Sequence, residues 1–221
     1  MGLKSTLIIS LLALVPFILL SMPFLSWIPD DAYISFEYSK NLADGEGLVF
    51  NSGERVEGFS NLLWTLLLAV AAFLGLEIQT AAPVLSYLCA LAALGLFLVL
   101  VRQTLQFIGD AGRPSVLIAT GAATLAVGVF FPLAFYASSG LETTAYLLCL
   151  LIGAFFHLKA VREENPAFHY YSLPAFLAAA LMRPEGIGFL GLNGLFFLYH
   201  WRRVPRRLLV VAFLTLAAYA A

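Results

Sequence analysis

Two adjacent aspartates, Asp30 and Asp31, follow the first long apolar segment of the chain and begin a polar stretch. An ionised aspartate costs about 2.5–3.5 kcal/mol at the centre of a bilayer on insertion scales, so such residues stay where water, a partner or a chemical task holds them. A carboxylate in this position can take a proton from a substrate as a general base. The alternative is structural, because one aspartate can cap a helix while its neighbour is solvated. The sequence leaves both roles open.

Two further charged positions stand at the ends of apolar segments. Arg183 and Glu185 flank Pro184, and Glu142 follows a Ser-Ser-Gly-Leu stretch. A guanidinium group binds a phosphate through two parallel hydrogen bonds, which makes Arg183 a candidate for a lipid-linked phosphate. The alternative is that Arg183 contacts only Glu185 or a lipid headgroup. Glu142 is expected at a helix start, where the helix dipole favours negative charge, and a capping role is its simplest explanation.

The composition indicates that apolar helices hold these charged groups at a membrane. The chain of 221 residues is 62% hydrophobic and 11% charged, which excludes an ordinary soluble globule and a disordered chain. Apolar segments of the roughly 20 residues that cross a bilayer recur throughout, so we predict an all-α membrane protein. Cys89 and Cys149 lie in apolar segments without neighbouring Cys or His, which argues against a disulfide framework or a thiolate metal site.

Seven membrane spans are predicted, and the segment Asn61–Leu76 is ambiguous because it is short for a crossing. If this segment does not cross, all but three of the twelve lysines and arginines lie on the cytoplasmic side, as the positive-inside rule requires. The N-terminus is then cytoplasmic, residues 29–80 form one large outer loop, and His157, His169 and His200 lie on the cytoplasmic side, far from the carboxylates. The predicted spans are Lys4–Ile28, Ala81–Val101, Pro114–Phe135, Leu141–Leu158, Tyr170–Met182, Gly186–Trp201 and Leu208–Ala221.

The first span could also be a cleaved signal peptide. A retained anchor is favoured because the apolar segment is longer than a typical signal sequence and lacks an A-x-A-like cleavage site. In the outer loop, the spacing of Ile34, Tyr38 and Leu42 predicts an amphipathic helix over Asp31–Leu42 that lies on the membrane surface. Asp44–Asn61 is rich in glycine and predicts a loop, with no phosphate-binding glycine pattern. No basic tract suggests nucleic acid.

Three motifs resemble the GT-C class of membrane glycosyltransferases, and in particular its bacterial branch of arabinofuranosyltransferases and mannosyltransferase-like proteins. They are DDAYISFEYSKNLADGEGLVFNSGERVEGFSNLLW at Asp30–Trp64, SSGLET at Ser138–Thr143 and RPEG at Arg183–Gly186. The resemblance covers most of the chain, and its first motif is the most specific. It implies a single GT-C-like transmembrane domain over residues 1–221, with about seven membrane helices and amphipathic juxtamembrane helices in the large first extracytoplasmic loop at residues 29–80.

The resemblance also implies a chemistry. A sugar would pass from a polyprenyl-phosphate donor to a glycan, lipid or protein acceptor on the outer face of a bacterial plasma membrane, with inversion at the anomeric carbon. Asp31 or Asp30 would be the general base, with Asp31 preferred because it opens the predicted helix. Arg183 would neutralise the leaving phosphate. The further substrate-binding candidates are Glu185, Glu142, Tyr33 and Glu57. The resemblance assigns no cofactor, and metal dependence stays open because two carboxylates could hold a divalent cation.

Two other classes of function remain open. A transporter or flippase for lipid-linked sugars would share the outer phosphate site, but transporters place polar or broken helices at the membrane midplane, where the predicted spans hold few ionisable groups. A non-catalytic membrane subunit would use Asp30 and Asp31 only to cap a helix. Members of the family that the chain resembles are longer, so we expect this chain to be a C-terminally truncated fragment.

Overall fold

The computed structural model describes residues 3–54, 56–108, 114–199, 207 and 210. Within these ranges the regular structure is helical and contains no strand, which confirms the predicted all-α class for the described part of the chain. Short 3-10 turns at Met22–Phe24 and Pro166–Phe168 accompany nine α-helices in these ranges. The helices are α1 (Leu3–Ser21), α2 (Asp30–Ala43), α3 (Leu62–Phe73), α4 (Ile78–Ile108), α5 (Pro114–Gly128), α6 (Phe131–Tyr136), α7 (Thr143–Arg162), α8 (His169–Met182) and α9 (Gly186–Tyr199).

The helices are divided between two compact units. The first unit comprises Met1–Ala32 and Gln79–Thr144, and the second comprises Tyr33–Ile78 and Ala145–Ala221. One boundary falls inside α2, so this helix begins in the first unit and continues into the second. In the first unit α1 packs along α5 and α6, and in the second unit α8 packs against α9 and α3.

In the part of the chain that the structure describes, two helical segments are long and apolar enough to cross a membrane, Ile78–Leu105 and Thr143–Arg162. They support an association with a membrane. The shorter apolar helix α3 has 12 residues, and at 1.5 Å per residue it extends about 18 Å, less than the roughly 30 Å of a bilayer core. The seven-span threading stays a prediction. The predicted span Leu208–Ala221 lies outside the described residues except for Val210, as do His200, Arg55, Arg113 and Arg202, Arg203 and Arg206.

The predicted span Pro114–Phe135 is wrong as a single helix. Helix α5 ends at Gly128, Phe130 is extended with φ −72° and ψ 98°, and α6 begins at the next residue with a proline in its first turn. Proline is tolerated there because the first N–H groups of a helix have no partner within the helix. Gly128 permits a close contact with α1, since a Cβ atom at this position would lie 2.6 Å from the backbone of Ala13.

The predicted amphipathic helix over Asp31–Leu42 is present as α2, one residue longer at each end. Its packed face differs from the predicted stripe: Tyr38 is 1% exposed, but Ile34 is 39% exposed. The remaining buried positions of α2 are Ala32, Ser35, Phe36, Ser39 and Asn41. The helix therefore packs largely through small and polar side chains.

Candidate functional site

The Asp30–Asp31 pair occupies the first turn of α2, and both residues are exposed. The helix begins at Asp30, and the residue before it is Pro29, whose carbonyl accepts the backbone N–H of Ala32 at 3.0 Å. Neither aspartate side chain has a hydrogen bond or an ion pair within the described part of the chain. Within the described residues, therefore, neither side chain makes a hydrogen bond that caps α2, and both carboxylates are exposed.

Helix α6 and the turn after it hold the segment that leads into the aspartate pair. The hydroxyl of Ser138 donates to the carbonyl oxygen of Phe24 at 2.8 Å. The ring of Phe135 lies 5.0 Å from the ring of Phe24 and 4.5 Å from that of Trp27, measured between centroids. Aromatic pairs at these distances contribute beyond the burial of their area. Contacts at Phe24 and at Trp27 therefore hold both ends of this short segment, which lies shortly before Asp30.

Glu142 lies in the same unit as the aspartate pair, immediately before α7, and is 8% exposed. Its segment is attached to α4 by two hydrogen bonds. The hydroxyl of Ser86 donates to the carbonyl of Leu141 at 2.7 Å, and the hydroxyl of Thr144 donates to the carbonyl of Ser86 at 2.7 Å. The Leu141 N–H also donates to the hydroxyl of Ser139 at 3.2 Å. The Ser138–Thr143 motif is therefore a rigid turn that buries its glutamate.

Arg183 and Glu185 lie in the second unit and contact each other. The Nη2 atom of Arg183 is 3.3 Å from Oε1 of Glu185, and Nε is 3.4 Å from Oε2. The side chains are 37% and 63% exposed. The Arg183 hydrogen bond, with help from a backbone hydrogen bond, lowers the pKa of the Glu185 carboxyl below its ordinary value. The guanidinium carbon lies 6.0 Å from the ring centroid of Tyr146. The predicted contact between Arg183 and Glu185 is thus present.

Tyr33 and Glu57, the other two predicted site residues, also belong to the second unit. Tyr33 is 46% exposed, and its ring contacts that of Phe36 at a centroid distance of 5.3 Å. Glu57 is exposed and lines an open pocket together with Glu46. The predicted site residues are therefore shared between the units, with Asp30, Asp31 and Glu142 in the first and Tyr33, Glu57, Arg183 and Glu185 in the second.

A comparison with known proteins gives this arrangement a chemical context. The chain is 31% identical over 191 residues to a terminal beta-(1->2)-arabinofuranosyltransferase of Mycobacterium tuberculosis. The chain is related to a glycosyltransferase. The match covers 84% of this chain and 30% of the mycobacterial protein, so the chain spans less than a third of that relative's length. No protein family model matches the chain, and no solved structure matches it.

The two adjacent aspartates are predicted to be able to hold a divalent cation, which would need further ligands from the chain. Among the residues that the structure describes, no group of three or more His, Cys, Asp or Glu side chains is placed to hold a metal ion. The Asp30–Asp31 pair therefore offers a cation two carboxylates, while divalent cations such as Ca²⁺ take six to eight oxygen ligands.

Sequence reasoning missed several residues that shape these sites. Ser86 positions the Glu142 segment, Tyr146 lies beside the Arg183 guanidinium, and Glu46 shares a pocket with Glu57. The first two are apparent only from contacts between distant parts of the chain. Glu46 could have been recognised from the sequence, because it stands between two glycines. In the structure these glycines adopt positive φ angles of 86° and 93°. Such flanking glycines indicate a shaped turn that presents the residue between them.

Proposed function

We propose that this chain belongs to a GT-C-type membrane glycosyltransferase, which moves a sugar from a polyprenyl-phosphate donor to a glycan, lipid or protein acceptor. The reaction takes place on the extracytoplasmic face of a bacterial plasma membrane. One observation carries the proposal: a chain related to a glycosyltransferase presents an exposed aspartate pair with no other partner in its described part. If the two aspartates had only a structural role, at least one of their carboxylates would be expected to cap the helix.

In the proposed reaction one aspartate of the pair accepts the proton of the acceptor hydroxyl. The hydroxyl oxygen forms a bond to the anomeric carbon of the donor while the bond from that carbon to the phosphate oxygen breaks. The electron pair leaves with polyprenyl phosphate, and the anomeric configuration inverts. Asp31 was preferred because it opened the predicted helix, but the helix begins at Asp30. Both aspartates lie in the first turn, so each is a candidate base.

Arg183 is the proposed partner of the donor phosphate. Its present partner, Glu185, is more exposed than buried, and an exposed ion pair contributes little stability. A phosphate can therefore replace Glu185 and form the two parallel hydrogen bonds that a guanidinium group favours. The positive charge would stabilise the negative charge that develops on the leaving phosphate. Tyr33, Glu57, Glu142 and Glu185 are proposed to contact substrate, and Glu142 is the least accessible of them.

The donor class is the sharpest test of this proposal. Membranes that contain the protein are supplied with sugars linked to polyprenyl phosphate and, separately, with the same sugars linked to nucleotides. We expect transfer only from the lipid-linked donors. Because a charged hydrogen-bonded contact contributes about 1.5–3 kcal/mol, Arg183→Ala should raise the donor KM by roughly tenfold or more. Arg183→Lys keeps the charge without the planar pair of donors and should recover part of the loss.

The same experiment separates the alternatives. Transfer from nucleotide-linked sugars alone would contradict the proposed donor. Movement of a lipid-linked sugar across vesicles, without any glycosylated product, would contradict the enzyme and favour a transporter. The absence of both activities, with the protein intact in the membrane, would favour a non-catalytic subunit.

A further inference from the structure

A pocket of about 390 Å³ opens within the segment between α2 and α3, entirely inside the second unit. This volume lies in the range of roughly 300–1,000 Å³ that is typical of small-molecule sites. Most of its described lining is apolar, and two carboxylates stand among the apolar groups. The residues that matter below are Glu46, Glu57, Leu48, Val56 and Phe59.

Two side chains of α2 hold the walls of this pocket in place. Tyr38 is 1% exposed, and its hydroxyl donates to the Val56 carbonyl at 2.7 Å and accepts the Gly58 N–H at 2.9 Å. Asn41 is 7% exposed, and its side-chain amide donates to the Val49 carbonyl at 3.0 Å. Buried side chains of α2 thus satisfy backbone groups on both sides of the loop. A cavity whose walls are fixed in this way loses little conformational freedom when a ligand binds.

The lining of the pocket includes two glutamates. Glu46 and Glu57 are both exposed, and neither side chain has a hydrogen bond or ion pair to any other residue that the structure describes. The apolar wall includes Phe59, whose ring is held edge-to-face against Tyr38 at a centroid distance of 4.8 Å. The pocket therefore combines hydrogen-bond acceptors of full negative charge with an aromatic surface.

These groups match a neutral sugar. Carboxylates accept short, strong hydrogen bonds from hydroxyl groups, and the apolar C–H face of a sugar ring can pack on Phe59. The described lining holds two glutamates and no basic residue, and the negative charges of the glutamates would repel a phosphate. We propose that this pocket binds a neutral sugar residue of the glycan acceptor through Glu46 and Glu57, against Phe59. The acceptor role rests on the proposed function, whereas the binding of a neutral sugar does not.

Saturation-transfer NMR tests the binding directly, with the full chain in lipid nanodiscs. The probes are the methyl glycosides of an arabinofuranose trisaccharide and a mannose trisaccharide. We expect at least one probe to bind and the Glu46→Gln/Glu57→Gln double variant to lose about tenfold or more in affinity, because charge-assisted hydrogen bonds become neutral ones. Glu54→Gln is the matched control: Glu54 is exposed in the same loop and outside the pocket, and it accepts a hydrogen bond from Asn51 at 3.1 Å.

Three results would overturn the assignment. They are the absence of binding by either probe, unchanged binding in the double variant, and binding of Ca²⁺ by the wild type without binding of sugar. Phe59→Ala should also weaken the probe, and the amide exchange of the loop reports whether that variant keeps its fold.

The transfer assay distinguishes a failure of this inference from a failure of the proposed function. If the double variant raises the KM for acceptor and leaves the KM for donor unchanged, the acceptor site is supported. If the double variant transfers sugar with an unchanged KM for acceptor, the pocket assignment is overturned and the enzyme proposal still stands. Sugar binding that needs Glu46 and Glu57, in a protein that transfers from no donor, would support the sugar site and contradict the enzyme proposal.

Discussion

The Tyr38→Phe variant removes a single oxygen atom that serves two hydrogen bonds. In the wild type this oxygen donates to the Val56 carbonyl and accepts the Gly58 N–H. The ring remains in place, because its contacts with Phe59 at 4.8 Å and Phe50 at 5.8 Å do not involve the hydroxyl. Each hydrogen bond contributes about 1 kcal/mol net, so local opening of the loop should become easier by about 2 kcal/mol, or roughly 30-fold.

Hydrogen exchange at the Gly58 amide measures this local opening. We expect the amide of the variant to exchange about 30-fold faster than in the wild type, while amides in the middle of α4 are unaffected. Tyr33→Phe is the matched control, because Tyr33 lies on the same helix, is 46% exposed, and its hydroxyl has no hydrogen bond in the described part of the chain. Equal exchange of Gly58 in the wild type and in Tyr38→Phe would refute the reasoning, as would equal acceleration in both variants.

Two further predictions concern helix packing and pH. Gly153→Ala should destabilise the protein by about 1–3 kcal/mol in thermal unfolding, because its Cβ would lie 2.6 Å from the Phe176 ring. Gly191→Ala, with nothing within 4 Å, should be neutral or stabilising; equal effects of the two would contradict the packing. For Glu185, whose folded-state pKa is lowered by Arg183, the stabilisation is complete above the ordinary value of about 4.3 and is lost as pH falls through the lowered value. Carbonyl NMR titration should show that Arg183→Gln raises this pKa toward the ordinary value, and an unchanged pKa would count against the ion pair.

The sequence predicted the position of α2 but not its packed face. The four-residue spacing of Ile34 and Tyr38 indicated a helix, and its bounds agree within one residue at each end. The packed face relies instead on polar contacts: the Ser39 hydroxyl donates to the Thr65 carbonyl at 2.9 Å, and the Asn61 side-chain amide donates to the Ser35 hydroxyl at 2.9 Å. A hydrophobic periodicity cannot detect a face that is buried through satisfied polar groups.

A hydropathy pattern also missed the division between α5 and α6. The residues around Gly128 and Pro132 are apolar throughout, so a window average continues across the point where the helix ends. The backbone leaves the helix between these two residues, and Gly128 lies against the backbone of Ala13 in α1. Local backbone chemistry and a tertiary contact decide this boundary, and average hydrophobicity contains neither.

The candidate site was predictable in part. The contact between Arg183 and Glu185 was one of the alternatives that the sequence left open, because the two residues stand within the same turn. Asp30 was expected at or near the cap of the helix, and it lies in the first turn of α2. Only the structure shows that its side chain makes no capping hydrogen bond within the described residues. The pocket beside Glu57 depends on Tyr38 reaching a backbone segment 18–20 residues away. Contacts of that kind are set by the fold and have no signature in a short window of sequence.

The most direct test of the central claim is the rate of sugar transfer from a polyprenyl-phosphate donor by Asp30→Asn and Asp31→Asn. Asp44→Asn is the control, since Asp44 is an exposed carboxylate just after the other end of α2. Loss of a general base typically slows a reaction by about 10²–10⁴-fold. We predict a loss of this size in one aspartate variant at normal membrane levels, with Asp44→Asn unchanged. Transfer at the wild-type rate in both Asp30→Asn and Asp31→Asn would contradict the account.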